Sequence, residues 1–346
     1  MDDRQIAVCS WSLRPGSPEE LVEALRRVGL SRVQLALVPL VEAGDTWGNA
    51  IAVLRAAGID IVSGMLAMVG EDYSTLATIA ATGGVRPDAT WSATKARAER
   101  VARLAGSAGI GLVTFHAGFI PREKTDPEWE VIIGRLRAMV DLFADHGVSV
   151  AFETGQEEAD TLLRALDAIA RPGVGVNFDP ANMILYGTGE PVGAFRRLAP
   201  HVRQVHIKDA VPSRIAGEWG AEVPAGTGAV DWSAFFDVVR GITPPVALVI
   251  EREAGPTREA DVITARDLVR GLLGATAMRD RRDHVAAVGA GSVHIERGAN
   301  GANGADLANG HDGTQGGHGG GDPGGEVGGE VGGVAPTPAD DDRRGA

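Results

Sequence analysis

Along roughly the first 275 residues, a short apolar run and a longer amphipathic segment follow one another eight times. Few folds satisfy that demand. The apolar runs begin near Ile6, Val33, Ile59, Ile110, Val148, Val174, Val202 and Val246, and each is short enough for a buried strand. Between them lie helical patterns such as SPEELVEALRRVG, TKARAERVARLAG, WEVIIGRLRAMVDLFADHG and EADTLLRALDAIA. Ser17, followed by Pro18, Glu19 and Glu20, predicts a helix N-cap with acids in the first turn. Gly58, Gly109 and Gly147 each separate a helical pattern from the next strand, where a left-handed C-cap residue is expected. The pattern predicts an α/β fold, a closed (β/α)8 TIM barrel over residues 1–275. The competing architecture, an open doubly wound sheet, normally carries a glycine fingerprint after its first strand, and none is present here.

Beyond residue 275 the chain changes character. The segment GANGANGADLANGHDGTQGGHGGGDPGGEVGG is glycine-rich and almost free of branched or aromatic side chains, so 276–346 is expected to be a disordered low-complexity tail. Its two histidines, His311 and His318, are read as solvated, with weak metal binding as the alternative. The net charge is −13, and the stretch from Gly298 onward holds eight acids against two arginines, so much of that charge lies in the tail. An acidic body repels phosphate backbones, which disfavours a nucleic-acid partner. No apolar run is long enough to span a bilayer, and the N-terminus opens on MDDRQIAVCSWSL, acidic where a secretory leader is basic. The single cysteine, Cys9, rules out an intrachain disulfide; a buried packing role and a cytoplasmic location are expected.

The barrel makes a second demand. Alternate strand residues face the interior, and chemistry collects at the C-terminal strand ends. In RQVHIKD, Val205 and Ile207 suit the helix-facing side, which turns Gln204, His206 and Lys208 inward. In GLVTFHAG the same parity turns Thr114 and His116 inward; in VSVAFETG, Glu153; in VGVNFDPAN, Asn177 and Asp179; in VALVIERE, Glu251. Glu153, Asp179, His206 and Glu251 therefore end four successive strands at one mouth. Any one acid there could merely cap a helix or pair with an arginine. Together, three carboxylates and an imidazole suit one divalent ion such as Mn2+, Mg2+, Co2+ or Zn2+, which would relieve their mutual repulsion. His116 is a candidate substrate contact, with a hydrogen-bonded wall residue as its alternative, and Lys208 is a candidate for a substrate or acid–base role, with a salt bridge inside the mouth as its alternative. Trp11, Tyr73 and Trp219 are candidate sugar contacts of equal standing with packing residues. Arg14 and Glu222 are read as surface charge. The connection VGEDYSTLATIAATGGVRPDATW, after the third strand, is long enough to serve as a lid.

With CSWSL on strand one, FETG on strand five, NFDPAN on strand six, VHIKD on strand seven and VIERE on strand eight, the chain resembles the sugar phosphate isomerase/epimerase family. That family has a xylose isomerase-like barrel, and its members include ketose 3-epimerases and inosose dehydratases. The likeness covers about residues 4–273. It implies that Glu153, Asp179, His206 and Glu251 hold a single metal, and that Glu153 and Glu251 also act as the acid–base pair. Two positions depart from the 3-epimerase pattern. Asn182 stands where those enzymes bind substrate with a histidine, and Pro212 stands where they carry an arginine. The richer ligand set that endonuclease IV needs for three metals is absent.

The leading expectation is a metal-dependent isomerase or epimerase of a sugar or sugar derivative, acting by proton abstraction beside a metal-bound carbonyl. A lyase or dehydratase acting on a keto-sugar, keto-glycoside or keto-inositol is the alternative, prompted by Asn182 and Lys208. A non-catalytic sugar-binding barrel is the third option. The expected partner is a small-molecule sugar, with neither nucleic acid nor membrane. Barrels of this kind often pair, so a homo-oligomer is admissible, although no apolar stripe marks a face.

Overall fold

The computed structural model describes residues 5–215 and 217–290, with side chains through 274. Eight strands close into a parallel barrel: β1 (Ile6–Cys9), β2 (Arg32–Ala36), β3 (Asp60–Met65), β4 (Leu112–Phe115), β5 (Ser149–Glu153), β6 (Val174–Phe178), β7 (Val202–Ile207) and β10 (Ala247–Ile250). Each follows its sequence neighbour around the ring, and β10 closes it onto β1, with Ala7 opposite Val249. Two short strands, β8 (Asp209–Val211) and β9 (Ala221–Val223), form an antiparallel hairpin above the mouth. Among the described residues, no helix is long and apolar enough to cross a membrane.

The local signals behave as their chemistry requires. Ser17 accepts from the Glu20 amide at 3.2 Å and caps the helix Pro18–Arg27. Gly58, Gly109 and Gly147 all adopt left-handed backbone, with φ of 76°, 66° and 73°. The barrel unit runs to Ala277. The backbone of the last helix, Arg258–Ala290, continues past the boundary at 275 drawn from composition. Residues 291–346, with His311 and His318, lie outside the described residues.

The apolar core lies between the strands and the helices, not inside the barrel. Val113, Phe115, Val150, Phe152, Val176, Phe178, Val205, Ile207, Leu248 and Ile250 all point into it and are buried. Fully burying such a side chain is worth about 1.5–3 kcal/mol. Within it Phe178, Phe195 and Phe235 stack in turn, with ring centroids 4.4 and 4.6 Å apart.

The barrel interior is different. It holds a small apolar cluster of Ala7, Cys9 and Val249, with Trp11, Val62 and Ala247 packed against it, and beside these a polar set, Gln34, Ser63, Thr114, Asn177, Gln204 and His206, each wholly buried. Barrel interiors usually hold branched apolar residues. Here the register shifts at Val33/Gln34 and at Val176/Asn177, beside two of the amides, the kind of irregularity that re-aims side chains.

Two connections at the mouth are tied down by carboxylates. After β3, Glu71 accepts from the Met68 amide at 3.1 Å and the Gly84 amide at 3.0 Å, and Leu76–Thr82 forms a helix closed by a Thr75/Thr78 capping box. After β7, Asp209 gathers the returning loop. Its Oδ1 accepts from the amides of Ala210 (2.9 Å) and Val230 (3.2 Å), and its Oδ2 from those of Gly226 (2.9 Å) and Gly228 (3.0 Å) and from Trp232 Nε1 (3.0 Å). A Cβ at Gly228 would come within 2.2 Å of Asp209 Oδ1, so this approach requires glycine.

Candidate active site and metal centre

β5, β6, β7 and β10 deliver Glu153, Asp179, His206 and Glu251 to one point, as strand parity predicts. One ligand atom from each lies within 4.8 Å of all the others, and all four residues are buried. From His206 Nδ1, Glu153 Oε1 is 3.5 Å away, Asp179 Oδ2 3.6 Å and Glu251 Oε2 3.3 Å. Donors around one ion at about 2.1 Å can be at most about 4.2 Å apart, so only a small contraction is needed.

The unsatisfied atoms make the stronger case. His206 Nδ1 and Asp179 Oδ2 are buried and have no hydrogen-bond partner. Orphaned buried polar atoms are costly. The opposite atoms of these two groups are engaged: Asp179 Oδ1 accepts from the Asn182 amide at 2.9 Å, and His206 Nε2 lies 2.7 Å from Gln34 Oε1. A ring nitrogen that donates to an amide oxygen leaves its other nitrogen as a lone-pair donor, the usual arrangement behind a metal-ligating histidine. The donor set therefore fits a divalent cation.

Both catalytic candidates are held by each of their oxygens. Glu153 Oε1 accepts from Asn182 Nδ2 at 2.9 Å, and Oε2 from Asn177 Nδ2 at 3.1 Å. Glu251 Oε1 accepts from Trp11 Nε1 at 2.8 Å, and Oε2 from Lys208 Nζ at 2.9 Å. Lys208, one residue beyond β7, also donates to Glu253 at 2.7 Å and Asn182 Oδ1 at 3.3 Å. It thus makes an internal salt bridge with Glu251 and Glu253 at the edge of the site.

The charge balance follows. Burial pushes Glu251 upward, but Lys208 and His206 outweigh it and hold the carboxyl well below its usual range. Burial also pushes Glu153 upward, and His116 and His206 more than offset that. Asp179 is raised by burial, which Lys208 only partly counters. Burial works against a charged His206, yet Glu153 and the other anions raise it well above its usual value. Lys208 thus shares in reconciling the carboxylates, and the cluster still draws positive charge to Nδ1.

The mouth holds the other candidates. His116 Nε2 is 3.5 Å from Glu153 Oε1, its Nδ1 has no partner, and Tyr73 lies 6.3 Å from it, ring to ring. Trp219 packs edge-on against Tyr186 at 4.7 Å with its indole nitrogen unsatisfied. Gly155, at φ 147°, lets the FETG turn close over Asn182 and Tyr186; a Cβ there would be 2.7 Å from that of Asn182. Glu222 departs from the sequence reading. Its side chain is only 5% exposed, not surface charge; Arg252 Nη1 donates to it at 2.7 Å, and Arg252 Nε donates to Asp261 at 2.8 Å. Gln34 was not singled out, although a glutamine at an inward position of RVQLA was the visible signal. Gln156 and Glu157, on the loop after β5, were missed as well; both are buried with an unpartnered side-chain oxygen.

A family profile described as xylose isomerase-like TIM barrel matches residues 22–272. The chain belongs to that family. A xylose isomerase domain protein from Planctomyces limnophilus shares 31% identity, with a TM-score of 0.67 over 77% of this chain and 95% of that one. A xylose isomerase-like TIM barrel protein from Mycobacterium smegmatis, solved in complex with magnesium, shares the fold at 15% identity, with a TM-score of 0.59 over 80% of this chain and 99% of that one. A curated relative, the probable L-ribulose-5-phosphate 3-epimerase UlaE of Mycoplasma pneumoniae, is 28% identical over 163 residues, which are 44% of this chain. The match spans about half the length of that relative, 50%.

Proposed function

We propose that this barrel is a divalent-metal-dependent epimerase or isomerase of a keto-sugar or sugar derivative. The observation that carries the reading is the convergence of Glu153, Asp179, His206 and Glu251, with His206 Nδ1 and Asp179 Oδ2 left unpartnered among them. These four residues would hold the ion, and the magnesium bound by the Mycobacterium smegmatis neighbour agrees with a hard cation in such a barrel. When bound, the ion supplies Lewis acidity that eases loss of a proton beside a carbonyl.

The protein's own groups do the rest. Glu153 and Glu251 flank His206 from β5 and β10, so they address a bound sugar from different sides. One removes the proton from the carbon next to the carbonyl and the other delivers a proton to the opposite face. Hydrogen bonds to both oxygens fix each carboxylate before substrate arrives, which lowers the entropic part of the barrier. His116 Nδ1, Trp219 Nε1 and Gln156 Oε1 are buried polar atoms without partners, and hydroxyl groups of a sugar would satisfy them. The epimerase named among the relatives supports this class of reaction.

Incubation in D2O with a panel of keto-sugars tests the reading. The wild-type protein should incorporate deuterium at the carbon beside the carbonyl, and Glu153→Gln should lose about 10²–10⁴-fold in that rate while melting normally. Undiminished exchange in the variant would sink the assignment. Lys208, with its ammonium donating to both Glu251 and Asn182, favours one second reading, a dehydratase in which that cation assists a departing hydroxyl. Loss of water during the same incubation would identify it.

A further inference from the structure

In the barrel ring β6 and β7 stand between β5, which ends on Glu153, and β10, which precedes Glu251. No ladder pairs the two strands that carry these carboxylates. A chain of side-chain hydrogen bonds crosses the gap instead. Glu153 Oε1 accepts from Asn182 Nδ2 at 2.9 Å, Asn182 Oδ1 accepts from Lys208 Nζ at 3.3 Å, and Lys208 Nζ donates to Glu251 Oε2 at 2.9 Å. Each link comes from the end of a successive strand: β5, the helix Pro180–Tyr186 that follows β6, the residue after β7 and the residue after β10. Chemistry fixes the direction of the central amide. An ammonium only donates, so it faces Oδ1; a carboxylate only accepts, so it faces Nδ2.

The two linking side chains have little left to offer a ligand. The Lys208 ammonium has three N–H donors, and Asn182, Glu251 and Glu253 take all three, the last at 2.7 Å. Lys208 is 3% exposed and Asn182 5%. Asn182 is also pinned from behind. Its backbone N–H donates to Asp179 Oδ1 at 2.9 Å, and the FETG turn comes so close that a Cβ on Gly155 would lie 2.7 Å from its own. The remaining carboxylate oxygens are held by Asn177 and Trp11, each donating to one of the two acids. We propose that Asn182 and Lys208 act together as a positioning bridge that sets the placement of Glu153 relative to Glu251, and that neither holds the sugar. This inference rests on the isomerase reading for its effect on rate, but the bridge itself is testable without turnover.

Proton exchange in D2O by the full, magnesium-loaded chain, with the keto-sugar that the wild type exchanges fastest, reads the effect on rate. Asn182→Leu and Lys208→Met should each lower kcat about 10- to 100-fold while KM stays within about threefold, since a displaced carboxylate misses the carbon but leaves the sugar's own contacts intact. The double variant should be no slower than the slower single one, because one break already opens the bridge. Asn182→Asp matches the native shape and keeps an oxygen toward Lys208, but turns a second carboxylate on Glu153. It guards against a variant that fails to fold, and should show the same loss in kcat. Losses that multiply in the double variant, that fall on KM, or that are missing from Asn182→Asp overturn the proposal. Without any sugar, NMR of the wild type should show slow solvent exchange of the Asn182 side-chain amide, and Lys208→Met should speed it about tenfold or more. Equal exchange in the two proteins overturns the bridge. A Lys208-dependent amide in a protein that exchanges no keto-sugar upholds the bridge and removes the isomerase reading instead.

Discussion

Replacing Asp209 by asparagine isolates what one buried carboxylate contributes to the mouth. Asp209 is 1% exposed, and five N–H groups donate to it, two to Oδ1 and three to Oδ2. The asparagine amide has one acceptor oxygen, so even in its better orientation the NH2 group faces two of those donors. Each buried donor left without an acceptor costs about 1–3 kcal/mol, which puts the loss at roughly 2–6 kcal/mol. For a barrel of this size that is a fall in Tm on the order of 10 °C. Hydrogen exchange should show where the loss falls, because the amides of Ala210 and Val230, the two donors to Oδ1, lose their acceptor while the barrel strands keep theirs. The four ligand residues are untouched, so metal binding measured below the new melting point should persist. An asparagine variant that melts within a degree or two of the wild type, with those two amides still protected, would refute the reasoning.

Further expectations follow from the same geometry. Manganese at a hundredfold excess over its Kd should stabilise the wild type by about 2.7 kcal/mol; Asp179→Asn retains the helix cap through Oδ1, loses the charged ligand oxygen, and should abolish the shift in a melting assay. Gln34→Leu removes the acceptor behind His206 and should weaken metal binding about 10- to 100-fold by calorimetry; an unchanged affinity would deny the amide its orienting role. Burial raises the Glu157 carboxyl to about 8 from 4.5, so the folded protein keeps a proton that the unfolded chain gives up. Stability should therefore decline as pH rises from about 4.5 to 8, and Glu157→Gln should remove that decline, a gain of roughly 3–5 kcal/mol above pH 8. Superimposable pH–stability curves for the two proteins would count against it.

Much of this was legible in the sequence because a barrel obeys strict periodicities. The alternation of strands and helices located all eight strands, and a two-residue period assigned Glu153, Asp179, His206 and Glu251 to one mouth. What escaped reading depends on pairs distant in the chain. Nothing near Glu222 announces that Arg252 will bury it, and nothing near Lys208 says whether its ammonium meets substrate or Glu251 and Glu253. Asp209, adjacent to Lys208 in VHIKD, looks as chemical as its neighbours and proves to be a loop clamp, because its partners lie 17 to 23 residues on.

The ring of amides and hydroxyls beneath the ligand atoms has one more consequence. Gln34, Asn177, Gln204, Ser63 and Thr114 neither gain nor lose charge at any working pH, so none of them can store a proton in place of Glu153 or Glu251. In the proposed reaction the proton is therefore stored on Glu153 and Glu251 themselves. A sugar bound over the mouth would then stand between those two carboxylates and bulk solvent.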